Sequence, residues 1–203
     1  MQKKSRINLA IPLLIFLAFA FSLSFDISIV SSINSLRNYF MDYLFSWATY
    51  ISSSVIILFV LTSLFLWEEH RRRWVFPLWL SLLSSLFLTF IIKSLYFRAR
   101  PFLFGLDTID SIAIALINTS SFPSAHAAVA FSALPLLNKK FPRMKLLWII
   151  FAVFAGLSRV YFGFHYLSDV IAGALIGYFM GLFFVKLEEK NKYGTKLFDL
   201  SFR

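Results

Sequence analysis

Three ionisable residues interrupt the otherwise apolar stretch from Ser158 to Asp169, which reads Ser-Arg-Val-Tyr-Phe-Gly-Phe-His-Tyr-Leu-Ser-Asp. His165 and Asp169 stand four apart, so on a helix the carboxylate accepts a ring N–H and fixes the tautomer that leaves the other nitrogen free. That is how a nucleophilic or basic histidine is prepared. Arg159 adds a planar cationic fork suited to phosphate or carboxylate. A His-x-x-x-Asp pair alone reads as a helical hydrogen bond, but with the arginine it describes phosphate transfer at a membrane.

Two further segments carry chemistry. In Lys93-Ser-Leu-Tyr-Phe-Arg-Ala-Arg100-Pro101 the helix is expected to stop near Arg100, because the residue before proline avoids the helical region. Lys93 and Arg100 then lie two turns apart on one face. Two cations aimed the same way grip one polyanion, although taken alone they read as snorkelling anchors. Phe122-Pro123-Ser124-Ala125-His126 announces a helix start, since proline is at home in a first turn. Its free N–H groups form an anion site, to which Ser124 adds a hydroxyl and His126 a titratable proton. An ordinary helix N-terminus with an incidental histidine looks the same. Asp107 and Asp110, in the loop from Phe102 to Phe122, resemble no metal-ligand cluster and read as solvated, as does His70. The sequence calls for no metal and no cofactor.

These residues must be positioned by membrane helices. Of 203 residues 59% are hydrophobic and 19% aromatic, and only 15% are charged, so the chain reads as one all-α membrane domain over 1–203. With no cysteine there are no disulfides and no thiolate sites. The net charge of +10 lacks a basic run interleaved with exposed aromatics, which points to anionic lipid and not to nucleic acid.

Six transmembrane helices are expected: Ile7 to Phe25, Tyr43 to Trp67, Trp74 to Ile92, a short fourth that starts at the Pro123 motif and includes Ala127 to Leu137, Leu146 to about Phe164, and Val170 to Val185. Ala18-Phe-Ala20 resembles a signal-peptidase site, yet the apolar run continues past it and the span is read as retained. Asp26 to Asp42 reads as a short polar loop without chemistry, with one amphipathic turn over Ile33 to Tyr39. Trp67 and Trp74 read as interfacial anchors, Asn138 to Lys145 as a basic loop, and the tail 186–203 as basic, frayed and cytoplasmic. With both termini in the cytoplasm, fifteen of the twenty Lys and Arg fall inside. The outer five are Arg37, Lys93, Arg98, Arg100 and Arg159, and all three motifs then face outward together.

Lys93-x6-Arg100-Pro101, Pro123-Ser124-x-His126 and Ser158-Arg159-x5-His165-x3-Asp169 resemble, in order, the three-part signature of the type 2 phosphatidic acid phosphatase family of integral membrane phosphatases. The match covers about residues 93–169, and Ala125 stands where the family usually has glycine. In a first helical turn φ is negative, and alanine is tolerated. The resemblance implies that His165 attacks phosphorus to give a phosphohistidine, that Asp169 holds its ring and that His126 protonates the leaving oxygen. Lys93, Arg100, Arg159, the Ser124 hydroxyl and the N–H groups near Ala125 and His126 are implied to surround the phosphoryl oxygens.

The expected function is therefore a lipid phosphatase of the cell membrane acting on the outer leaflet. Phe90, Phe97, Phe162 and Phe164 crowd beside the charged residues, and no sizeable outer domain is present to read a sugar or glycerol. A polyprenyl diphosphate is the first-choice substrate. Phosphatidic acid, phosphatidylglycerol phosphate and lipid phosphotransfer are the alternatives, and a transporter or scramblase would need neither histidine pair.

Overall fold

A computed structural model describes residues 10–67, 69–101, 120–194 and 196. Asp107, Asp110 and the apolar stretch Ile112 to Ile117 lie outside them. Among the described residues all regular structure is helical. The helices are α1 (Ala10–Ser35), α2 (Tyr39–Ile51), α3 (Ser54–Leu66), α4 (Glu69–Arg72), α5 (Val75–Leu95), α6 (Ala125–Lys140), α7 (Lys145–Tyr161) and α8 (Leu167–Asn191), with one 3-10 turn at Pro142–Met144.

Polar residues punctuate these apolar runs. Asn38 caps α2 by accepting the Met41 N–H at 3.0 Å, and Ser53 caps α3 by accepting the Ile56 N–H at 3.4 Å. The second cap breaks what the sequence presents as one continuous span from Tyr43 to Trp67. Serines 52 and 53 offer the backbone hydrogen bonds that compete with a helix, and α2 and α3 meet at a bend of 62°.

Helix α6 is the hub. Its buried residues run from Ala127 to Leu137, and it packs against α3, α5, α7 and α8. The closest approach is to α8, where Gly173, Gly177 and Gly181 recur every four residues on one face. A Cβ at Gly177 would stand 1.9 Å from the Ala128 carbonyl oxygen, and one at Gly173 would stand 2.3 Å from that of Ser124. Only glycine permits this contact, which brings the N-terminal ends of α6 and α8 level. The Ser124 N–H donates to the Asp169 carbonyl at 2.9 Å and ties them.

Among the described residues four helical stretches are long and apolar enough to cross a membrane: Leu13–Ser35, Glu69–Leu95, Pro142–Tyr161 and Leu167–Asn191. Counting the bent pair α2 and α3 as one crossing gives five. The expected fourth span, α6, has only 16 residues, and Asn138 to Lys140, expected in a loop, form its last turn.

Several other expectations are corrected. Asp26 to Asp42 is not a polar loop, because α1 runs on to Ser35 and Asp26 is buried within it. Trp67 is 87% exposed as an anchor should be, whereas Trp74 is 3% exposed and packs in the core under the Lys140 ammonium, 4.1 Å from its ring. The tail is not frayed from Lys186 onward. Helix α8 continues to Asn191, and the buried Glu188 accepts the Gly194 N–H at 2.8 Å beyond a left-handed Lys192.

Candidate active site

The stretch that carries Arg159, His165 and Asp169 is a helix end, a tight turn and a helix start. Arg159 lies in the last turn of α7, and its carbonyl accepts the N–H groups of Phe164 at 3.0 Å and His165 at 3.1 Å. Gly163, at φ 66°, makes the reversal that folds the chain back onto that carbonyl. His165 thus precedes α8, while Asp169 sits in its first turn. The four-residue spacing still brings them together, across a turn and not along one helix. His165 Nδ1 lies 3.6 Å from Asp169 Oδ2, close enough to orient the ring and longer than a hydrogen bond.

Both groups are buried, His165 at 4% exposure and Asp169 at zero. Burial pushes the imidazole down to about 3; Asp169 resists that shift, and Arg100 and Arg159 add to it. A ring with that value is neutral at ordinary pH, and with Nδ1 turned to the carboxylate its Nε2 lone pair is available.

Helix α6 presents the second motif. Ser124 is its N-cap, with Oγ accepting from the Ala127 N–H at 3.5 Å, and the Phe122–Pro123 peptide is cis. Ala125 is the first helical residue, and the positive-φ residues of the described chain do not include it, as expected for alanine at this place. His126, on the next position, stands within electrostatic reach of Arg159, His165, Arg100 and Lys93.

The expected geometry of the first motif is corrected, although its convergence is found. Helix α5 ends at Leu95, five residues before Arg100; Tyr96 is extended, and the non-helical stretch that follows is held at Arg98 by Ser120 and Ser121. The Ser121 N–H donates to the Arg98 carbonyl at 2.8 Å, and the Arg98 N–H donates to Ser120 Oγ at 3.1 Å. Lys93 and Arg100 therefore do not share a helix face. They meet from two elements at one point: Lys93 Nζ donates to the Ser120 carbonyl at 2.6 Å, and Arg100 Nη2 donates to the same oxygen at 3.3 Å. Arg100 Nη1 also donates to the Phe164 carbonyl at 2.8 Å, beside His165. Arg159 completes the ring of cations, 4.5 Å from the Phe164 ring, with its buried Nε and the buried His165 Nδ1 both lacking a hydrogen-bond partner.

Eight residues singled out from the sequence thus occupy one buried, cation-lined place between the ends of α5 and α7 and the starts of α6 and α8. A sequence model of the PAP2 superfamily matches residues 74–193, more than half of the chain and every one of these positions. The chain belongs to the PAP2 superfamily. Undecaprenyl-diphosphatase BcrC of Bacillus subtilis is 28% identical over 147 residues, 69% of this chain and 72% of that protein. An undecaprenyl-diphosphatase of Sulfolobus acidocaldarius is 32% identical over 128 residues, 63% of this chain and 61% of that one. The fold is that of a solved PAP2-type phosphatidylglycerolphosphate phosphatase from Bacillus subtilis, with a TM-score of 0.70 at 21% identity, over 90% of this chain and 98% of that one.

Within this PAP2 site, sequence reasoning missed Arg98, Asp26 and Ser168. Arg98 Nη1 donates to Asp169 Oδ1 at 2.6 Å and Nη2 donates to Asp26 Oδ2 at 2.7 Å. Two signals were available in the sequence: Asp26 is an acid inside an apolar helix, and Arg98 is a cation between the two motif cations. Taking Asp26 as the start of a loop hid the first.

Proposed function

We propose that this PAP2 chain is a metal-independent phosphatase of membrane lipid phosphates, with a polyprenyl diphosphate as its preferred substrate. The observation that carries the reading is the buried, neutral His165 backed by Asp169 and set among Lys93, Arg100 and Arg159 at the N-terminus of α6. The three cations and the α6 N–H groups match the charge that gathers on a transferring phosphoryl group. The Nε2 lone pair of His165 forms an N–P bond as the P–O bond to the leaving group breaks, and His126 supplies the proton that the leaving oxygen takes. Water then attacks phosphorus and returns a proton to His126. The N–P bond breaks, its electron pair goes back to Nε2, and inorganic phosphate is released.

The diphosphate preference is supported by the names of the two relatives described above. It is also supported by exposed Phe90 and Phe97 beside the site, where a prenyl chain stays in lipid as its head group enters. Comparing kcat/KM for a polyprenyl diphosphate, phosphatidylglycerol phosphate and a soluble phosphate monoester tests it. The diphosphate is expected to lead by at least about tenfold, or about 1.4 kcal/mol in transition-state binding. A smaller lead removes the polyprenyl assignment, and preference for the soluble ester removes the lipid one.

The same reading makes α6 a sixth crossing. At 16 residues it is about 24 Å long, short for a bilayer core but sheathed by other helices on nearly every side. Both termini then lie in the cytoplasm and the site faces outward. Because the chain lacks cysteine, single reporters test the sidedness. A Leu36→Cys variant, in the exposed turn between α1 and α2, is expected to react with an impermeant thiol reagent in intact cells, and a Met144→Cys variant is not. The opposite pattern overturns the orientation.

A further inference from the structure

Asp26 interrupts the apolar sequence of the continuous helix α1 between Phe25 and Ile27 and is 3% exposed. A carboxylate at such a position in a membrane helix needs partners, and here they come from far along the chain. Its Oδ1 accepts the Ser168 N–H at 3.1 Å, and its Oδ2 accepts Arg98 Nη2 at 2.7 Å together with the Ser168 hydroxyl. Arg98 Nη1 in turn donates to Ser168 Oγ at 2.7 Å and to Asp169 Oδ1 at 2.6 Å. The Tyr166 ring lies 4.1 Å from the guanidinium carbon, and the Tyr166 N–H donates to Asp169 Oδ2 at 2.9 Å. Asp169 is thus held on both oxygens, and the cation on one of them is shared with a second carboxylate.

Charge makes that sharing consequential. With both carboxylates ionised, Asp26, Arg98 and Asp169 together carry one negative charge. Without Asp26 the guanidinium would neutralise Asp169, and the ring of His165 would face a group with no net charge while becoming cationic on phosphorylation. We propose that Asp26 is a positioning residue of the phosphoryl-transfer site, which balances Arg98 so that Asp169 keeps its charge and place for His165. The proposal rests on the phosphohistidine reading above. It gives α1, which carries none of the signature residues, a direct part in setting the reactivity of the site.

A purely structural Asp26 would pin α1 to the bundle, and losing Arg98 as well could only add damage. A charge-balancing Asp26 behaves oppositely, because Asp26→Asn with Arg98→Gln restores the single negative charge. In full-length protein in detergent or liposomes, Asp26→Asn is expected to lower kcat about 30-fold with KM within about threefold, and the double variant to recover to within about fivefold of wild type. Orthovanadate, a mimic of the transferring phosphoryl group, gives a second readout that needs no lipid. Its apparent affinity, read from the concentration dependence of thermal unfolding, is expected to weaken about tenfold in Asp26→Asn and to return in the double variant.

Equal vanadate affinity in wild type and Asp26→Asn, or a double variant no better than the single, overturns the proposal and leaves the phosphatase reading standing. Wild-type protein that binds no vanadate overturns both. If the charge variants do not assemble, Ser168→Ala carries the test by removing the hydroxyl that bonds both the Asp26 carboxylate and the Arg98 guanidinium. It is expected to lower kcat about fivefold, and an unchanged kcat overturns the proposal.

Discussion

His165→Ala is expected to lower kcat by at least about 10³-fold, as loss of a covalent nucleophile does. No described neighbour can take over the ring's role. His126 is the other histidine of the site, but it projects from α6, a separate helix, and Asp169 is not its partner. The cations remain in place, so substrate is still gathered and KM is expected to change far less than kcat. Water would then have to attack phosphorus directly, in a site whose base and carboxylate are arranged to serve an imidazole. Turnover by the wild-type protein is expected to persist in chelator and to be blocked by vanadate, because in the proposed mechanism Lys93, Arg100 and Arg159 would supply the charge that a metal would otherwise bring. Wild-type turnover in His165→Ala, or complete loss with chelator, contradicts the mechanism.

The parts of this site legible from sequence were those carried by spacing over short distances. Ser158 to Asp169 folds as a compact unit, so four residues between His165 and Asp169 suffice to bring them near each other whether the path is a helix or a turn. The cap at Ser124 was equally legible, because proline and serine ahead of an apolar run have few other uses. The end of α5 was not. Pro101 marks where a helix must have stopped, but pairing with Ser120 and Ser121, twenty residues on, unwinds the chain at Tyr96. The Asp26–Arg98 pair joins residues 72 apart in sequence, and no local pattern encodes such a contact. The bend between α2 and α3 was hidden because the three serines from Ser52 to Ser54 inside a hydrophobic run look no different from the serines that α5 absorbs at Ser81 and Ser85. Trp74 was misread because a tryptophan beside a charged loop suits both a membrane interface and a core lid stacked on lysine.

Gly173→Ala is expected to lower kcat about 10²-fold, the size of effect that a displacement of roughly 1 Å produces in a preorganised site. The added methyl carbon would stand 2.3 Å from the Ser124 carbonyl oxygen and 3.1 Å from its carbon. Backbone cannot rotate away as a flexible side chain does, so α6 or α8 must move. Ser124 caps α6, and its N–H holds the Asp169 carbonyl at 2.9 Å, so the movement falls on the seam between His126 and His165. Gly181→Ala makes the comparison that separates geometry from stability. Its methyl would stand 2.2 Å from the Ser132 carbonyl oxygen, a similar clash, but about 12 Å farther along α8 from the site. Both variants are expected to unfold at lower temperature, since each forces apart helices that pack without a Cβ between them. Only the first is expected to lose most of its turnover at a temperature where the fold is intact. Equal loss in the two would mean that the glycines serve helix packing alone. Wild-type rates in Gly173→Ala would mean that the level of α6 against α8 does not set the distance between the two histidines.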